Sequence, residues 1–175
     1  MCRICDGYSD EELTRELDLA IRVHGFTRVG VENPDGTGWT YTIGLAENCG
    51  QPDLVCIDVE PDFQQRLVQA IAATVVETGS PPDARSLAQL DVELVQVHPR
   101  HLDGDLVNLW AERYRRRPGE GDFLQVLPGS SHFCACHARA ARRLDDPRPV
   151  TTPGPNRAQR RARDRNSGRH GRPPR

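Results

Sequence analysis

The sequence predicts an α+β domain, built as a mostly antiparallel five-stranded sheet with three to four helices and followed by a disordered basic C-terminal tail. Three observations carry this expectation. Period-2 apolar runs are interspersed with stretches whose apolar residues recur every four positions. An early hairpin forces antiparallel pairing, while the later helices can cross over one face of the sheet. From about Asp145 onward, Pro147, Pro149, Pro153 and Pro155 lead into an Arg-rich run almost without large apolar residues, where burial cannot offset ordering entropy. With 175 residues in all, one domain over 1–144 and a tail over 145–175 are expected.

The first helix is placed at 9–24. Ser9 and Glu12 form an S-x-x-E capping box, Leu13, Leu17 and Ile21 repeat at helical spacing, and Gly25 supplies the stop. A hairpin follows, in which Thr27, Val29 and Val31 alternate with Arg28 and Gly30 before Asn33-Pro34-Asp35-Gly36 turns the chain. The return strand sets Trp39, Tyr41, Ile43 and Leu45 on one face and Thr40, Thr42 and Gly44 on the other, the pattern of a half-buried strand. Leu54-Val55-Cys56-Ile57 is apolar on both faces and suits the middle of a sheet.

Pro61 stands at a first helical position, with Phe63, Leu67, Ile71 and Val75 at helical spacing up to Gly79. Beyond Ser80-Pro81-Pro82 a poorly patterned stretch leads to a fourth strand, Val92 to Val97, closed by Pro99. Leu102, Leu106, Leu109, Trp110 and Tyr114 predict a third helix ended by Pro118-Gly119, and a fifth strand runs from Phe123 to Leu127.

The formal net charge of −2 conceals an asymmetry. Residues 1–138 hold 11 Arg against 22 acidic residues, whereas 139–175 hold 12 Arg against 3 Asp, so an acidic body carries a basic tail. Lys is absent, which fits GC-rich coding better than selected chemistry, so the identity of the basic residues carries no weight. No apolar run is long enough to span a membrane and the N-terminus has no apolar leader region, so an unexported, cytoplasmic protein with no membrane partner is expected.

Six cysteines fall into two groups. Cys49 and Cys56 lie in the sheet region, while Cys2, Cys5, Cys134 and Cys136 flank the domain. Cys2-x-x-Cys5 offers one half of a tetrahedral zinc site, and His132-Phe133-Cys134-Ala135-Cys136-His137 offers both a C-x-C and a C-x-x-H reading of the other. Cys134 is common to both, and Cys136 ranks ahead of His137 for the fourth place. Structural Zn2+ held there would tie the first residues to the last ordered segment, where loop closure is most costly. Two alternatives stay open: ordinary terminal cysteines, and a redox dithiol, which the lack of a strand before Cys2 disfavours.

His98-Pro99-Arg100-His101 puts two imidazoles at a strand-to-helix junction, and His24 extends them to a three-His reading. Signatures of common nucleophiles, metallopeptidases and nucleotide-binding loops are missing. The run Asn156 to Arg165 is basic enough to engage a polyanion such as nucleic acid, although no aromatic residue interleaves its arginines; a solvated tail is the competing reading.

Met1-Cys2-x-x-Cys5-Asp6, His24-Gly25-Phe26, Tyr41-Thr42-Ile43-Gly44-Leu45, Pro52-Asp53-Leu54 and Phe123-Leu124-Gln125-Val126 together resemble bacterial proteins of the DUF4262 family over about residues 1–130. The resemblance implies no particular activity, substrate or cofactor. Family members resembling this chain carry His before a Pro-Glu-Leu segment, where this chain has Gln51, and end in a D-x-x-G-x-x-P-W stretch, where it has the Cys134 to His137 cluster. The leading expectation is a zinc-clamped cytoplasmic binding or regulatory domain, its catalytic residues unknown. The alternatives are a small hydrolase-like enzyme pairing His24 with Glu47 or Asp53, and a nucleic-acid-associated protein acting through its arginine tail.

Overall fold

The computed structural model describes residues 9–33, 37–102, 105–133 and 142–146. Helix α1 (Asp10–His24) starts at Ser9, whose hydroxyl accepts from the Glu12 N–H while the Glu12 carboxylate accepts from the Ser9 N–H, and it ends at Gly25 in the left-handed region. Strands β1 (Thr27–Glu32) and β2 (Gly38–Ile43) form the hairpin, Thr27 facing Ile43 and Glu32 facing Gly38. After the short helix α2 (Leu45–Cys49) comes β3 (Asp53–Ile57), and then α3 (Pro61–Thr78), capped by the Glu60 carboxylate and stopped at Gly79. Helix α4 (Ala84–Gln89) begins at Asp83, whose side chain accepts from the Ser86 N–H, and leads to β4 (Val92–Gln96). Two 3-10 turns, α5 (Asn108–Tyr114), β5 (Phe123–Pro128) and a last 3-10 turn complete the order.

The five strands are ordered β1-β2-β3-β5-β4. Three of the neighbouring pairs are antiparallel, and β3 runs parallel to β5 with Asp53 opposite Phe123. The class is the expected α+β, with a mixed sheet and five α-helices where the sequence predicts three to four. The extra helices are too short to show a hydrophobic period: α2 takes Leu45 out of the return strand, and α4 fills the poorly patterned stretch. The predicted third helix begins later than its apolar spacing suggests, because Leu102 and Leu106 lie in or beside 3-10 turns.

Apolar layers cover both faces of the sheet. On one face Tyr41, Ile43, Val55, Ile57 and Phe123 pack with Ile21 of α1, Trp110 of α5, Leu102, Val107 and Leu144. On the other, Leu54, Cys56, Val92 and Val126 pack with Leu67, Val68, Ile71, Ala72 and Val75 of α3. Strand β2 is therefore not half-buried as its alternation suggests: Thr40 and Thr42 are as enclosed as Tyr41 and Ile43, because helices lie over both sides. Gly44 permits the turn into α2, with φ of 118° and the Gly25 carbonyl oxygen 3.0 Å from where a Cβ would stand.

Beyond β5 the chain returns to the sheet. Leu144 is 3% exposed. Its N–H donates to Gln125 Oε1 at 2.6 Å, and the Gln125 amide donates to the Arg142 carbonyl at 2.6 Å. The His98 N–H donates to the Leu144 carbonyl at 2.8 Å.

Candidate functional site

The proposed metal ligands Cys2, Cys5, Cys134, Cys136 and His137 lie outside the described residues. What is described is the framework next to them. Asp91, at φ of 48°, accepts from the N–H and hydroxyl of Ser131, and its backbone carbonyl accepts from Gly129 N–H. His132 reaches the Leu90 carbonyl at 2.7 Å through Nε2 and packs at a tilt against Phe63 of α3, 5.1 Å between ring centres. On the far side of the Cys134 to His137 cluster, Arg142 and Leu144 are held by Gln125. The described residues that flank the Cys134 to His137 cluster in sequence are thus each held to the body of the domain. A cavity of about 480 Å³ is lined by Asp91, Glu93, Leu127, Phe133 and Arg143 among others. Among the described residues, no three His, Cys, Asp or Glu side chains gather as a metal site.

The acid-base candidates are distributed differently from their expected roles. Asp53 is fully buried at the start of β3. Its Oδ1 accepts from the Thr42 hydroxyl at 2.8 Å and the Leu45 N–H at 3.2 Å, and its Oδ2 accepts from Trp110 Nε1 at 2.8 Å. Thr42 Oγ1 in turn accepts from the Leu54 N–H at 2.8 Å. Burial pushes the Asp53 carboxyl up to about 6, against the opposing pull of the donors Thr42, Trp110, Leu45 and Gly44. This carboxylate joins β2, β3, α2 and α5 and is shielded from solvent.

Glu47 accepts from Arg113 Nε at 3.2 Å and Nη2 at 2.9 Å, and the same guanidinium pairs with Asp18 of α1. His24 is exposed in the last turn of α1, and no hydrogen bond joins it to Glu47 or Asp53. The pairing on which an acid-base pocket at His24 depends is therefore not made. The Tyr114 hydroxyl is buried beside this network and makes no hydrogen bond among the described residues. Burial, reinforced by the charges of Asp53 and Glu47, pushes that hydroxyl up to about 12.

His98 and His101 do lie together, their rings edge to face at 6.4 Å. Each serves the backbone: His98 Nδ1 accepts from the Arg100 N–H at 3.2 Å, and His101 Nε2 lies 2.6 Å from the Asp146 carbonyl oxygen. Gln51, in the place where the family resemblance expects His, donates to the Gly79 carbonyl at 3.1 Å and ties α2 to the end of α3.

Sequence reasoning missed Gln125 and Asp91. Gln125 carries a readable signal, being the lone polar residue inside Phe123 to Leu127 and sharing a strand face with Phe123. Asp91 carries none, since its role depends on a left-handed backbone and on partners 40 residues away.

A mixed five-stranded sheet covered on both faces by helices, with a saturated carboxylate inside and a C-terminal segment gripped by a buried amide, defines a small α+β domain closed by its own chain. The chain belongs to DUF4262, a domain of unknown function, whose family model matches residues 20–130. That match begins after Cys5 and ends before Cys134, so both cysteine pairs flank it. No curated protein and no solved structure matches the chain. No helix among the described residues is long and apolar enough to cross a membrane.

Proposed function

We propose that this DUF4262 chain is a cytoplasmic binding or regulatory domain whose two ends are closed by structural Zn2+, held by Cys2, Cys5, Cys134 and either Cys136 or His137. One observation supports the reading above the others: the described residues that flank Cys134 to His137 in sequence are each held to the body of the domain, by Asp91 through Ser131 and by Gln125 through Arg142 and Leu144. Anchoring reduces the chain entropy that a ligand-bearing loop loses when it closes on a metal. The donor set, thiolates with an imidazole in reserve, suits a tetrahedral zinc site, and Zn2+ would supply folding free energy there rather than chemistry. Free thiolate ligands suit a reducing compartment, which accords with the cytoplasmic reading.

Metal analysis of the full chain purified under reducing conditions tests this. One zinc per chain is expected, with loss of metal and a lower melting midpoint in Cys5→Ser and Cys134→Ser but not in Cys49→Ser. A metal-free wild type, or loss of metal from the Cys49→Ser variant alone, rejects the clamp.

The excess of arginine in residues 139–175 supports a polyanion, such as nucleic acid, as the partner. Removing residues 147–175 should then abolish a salt-sensitive gel shift, and an unchanged shift rejects that role for the tail.

A further inference from the structure

Residues 142–146 belong to no helix or strand, yet they are bound as a ligand peptide is bound. Gln125 takes two main-chain groups of the segment, the carbonyl of Arg142 and the N–H of Leu144. The His98 N–H takes the carbonyl of Leu144, two residues beyond that of Arg142. Leu144 is the apolar anchor and joins the cluster containing Val97, Leu102, Val107 and Phe123. At the rim, Arg143 pairs with Glu93 of β4 at 2.9 Å and with Asp145 of its own segment. The His101 ring closes the far end on the Asp146 carbonyl. Main-chain hydrogen bonds with one side-chain pocket are how extended peptides dock along a sheet.

Gln125 makes the groove selective for such a peptide. It is fully buried, and both ends of its amide are satisfied by the backbone of the segment. Empty, the groove would hold an orphaned amide beside an open apolar slot, so it favours being filled. The one sequence shown to satisfy it is Arg142 to Asp146, and every other copy of this chain carries the same five residues.

We propose that this groove is a docking site for an extended Arg-Leu-Asp segment, filled in the resting chain by its own residues 142–146 and exchangeable with the same segment of a second copy. Exchange replaces each contact by an identical one, so it costs little beyond the loss of the intramolecular link. None of the contacts involves a proposed metal ligand.

Charge reversal across the rim tests it in the full chain. Glu93→Arg alone sets cation against cation in cis, and Arg143→Glu alone sets carboxylate against carboxylate. When the two variants are mixed and exchange segments, both grooves regain an opposite pair. Native mass spectrometry and gel filtration should show a several-fold excess of the mixed dimer over either self-dimer. The double variant Glu93→Arg/Arg143→Glu regains an opposite pair across the rim within one chain and should show no preference for a mixed partner. A mixture that stays monomeric, or dimers with no preference for the mixed pairing, overturns the proposal.

A second measurement covers the anchor. A labelled synthetic peptide of residues 140–147 should bind folded Leu144→Ser chain and fail to bind when Gln125→Leu is added. Binding indifferent to Gln125, or no binding to folded Leu144→Ser, also overturns it. Binding of the peptide without any mixed dimer assigns the groove to a foreign segment and refutes exchange between copies.

Discussion

Trp110 Nε1 donates to Asp53 Oδ2 at 2.8 Å in a position where both residues are 0% exposed, so the first turn of α5 is bonded to the first residue of β3. The carboxylate faces donors on both oxygens, a demand that an amide meets on one side only.

Asp53→Asn should therefore destabilise the domain by about 1–3 kcal/mol, because the new NH2 group meets either Trp110 N–H or the Thr42 and Leu45 donors. Trp110→Phe made in the Asp53→Asn background should cost less than in wild type, since it removes one of the opposed donors. Urea unfolding of the four proteins measures this, and strictly additive losses would contradict the donor-against-donor account.

The same residue predicts a pH dependence. Burial raises the folded-state carboxyl from its ordinary 3.8 to about 6, so the native state holds the proton more tightly than the unfolded chain. Its contribution is complete below the unfolded value and is lost as pH rises through about 6. Asp91, Asp122 and Asp145 act in the opposite sense: hydrogen bonds from Ser131, Arg116 and Arg143 hold them low, so their contributions vanish as pH falls. The difference in melting midpoint between wild type and Asp53→Asn isolates the buried group. Wild type should lose ground to the variant between about pH 4 and about pH 6, and a constant difference across that range counts against the assignment.

Two glycines separate close approach from backbone conformation. At Gly44 a Cβ would stand 3.0 Å from the Gly25 oxygen and 3.1 Å from Ile21 Cγ2, whereas Gly50, at φ of 63°, faces open space. Gly44→Ala should cost about 2 kcal/mol or more and Gly50→Ala about 1 kcal/mol. Equal losses in thermal unfolding would show that the crowding at Gly44 relaxes freely.

Gly129 is required by one neighbour. A Cβ there would lie 2.1 Å from Asp91 Oδ1, so Gly129→Ala must displace the side chain that accepts from Ser131. The substitution should lower the melting midpoint in wild type and be nearly silent in an Asp91→Ala background. An equal drop in both would place the strain in the backbone instead.

The elements that the sequence discloses are those with local marks. The Ser9 and Glu12 box, Pro61 with its four-residue repeat, and the alternation around the hairpin each depend on residues a few positions apart, and α1, α3, β1 and β2 follow. Helix α4 is not disclosed, because six residues are too few to display a period. The parallel pairing of β3 with β5 left no trace, since a strand apolar on both faces suits either direction. At the site the limit is similar. Gln125 is conspicuous as a polar residue in an apolar run, but its partners come from residues 142 and 144, and Asp53 gives no sign in the sequence of being enclosed.

The adjacency of β3 and β5 has a consequence for biosynthesis. Asp53, Leu54 and Val55 wait for Phe123, Leu124 and Gln125, some 70 residues later in the chain, before the middle of the sheet can seal. On the ribosome the β3 edge that receives β5 therefore has no partner strand for the whole interval, although β2 and α3 are already made.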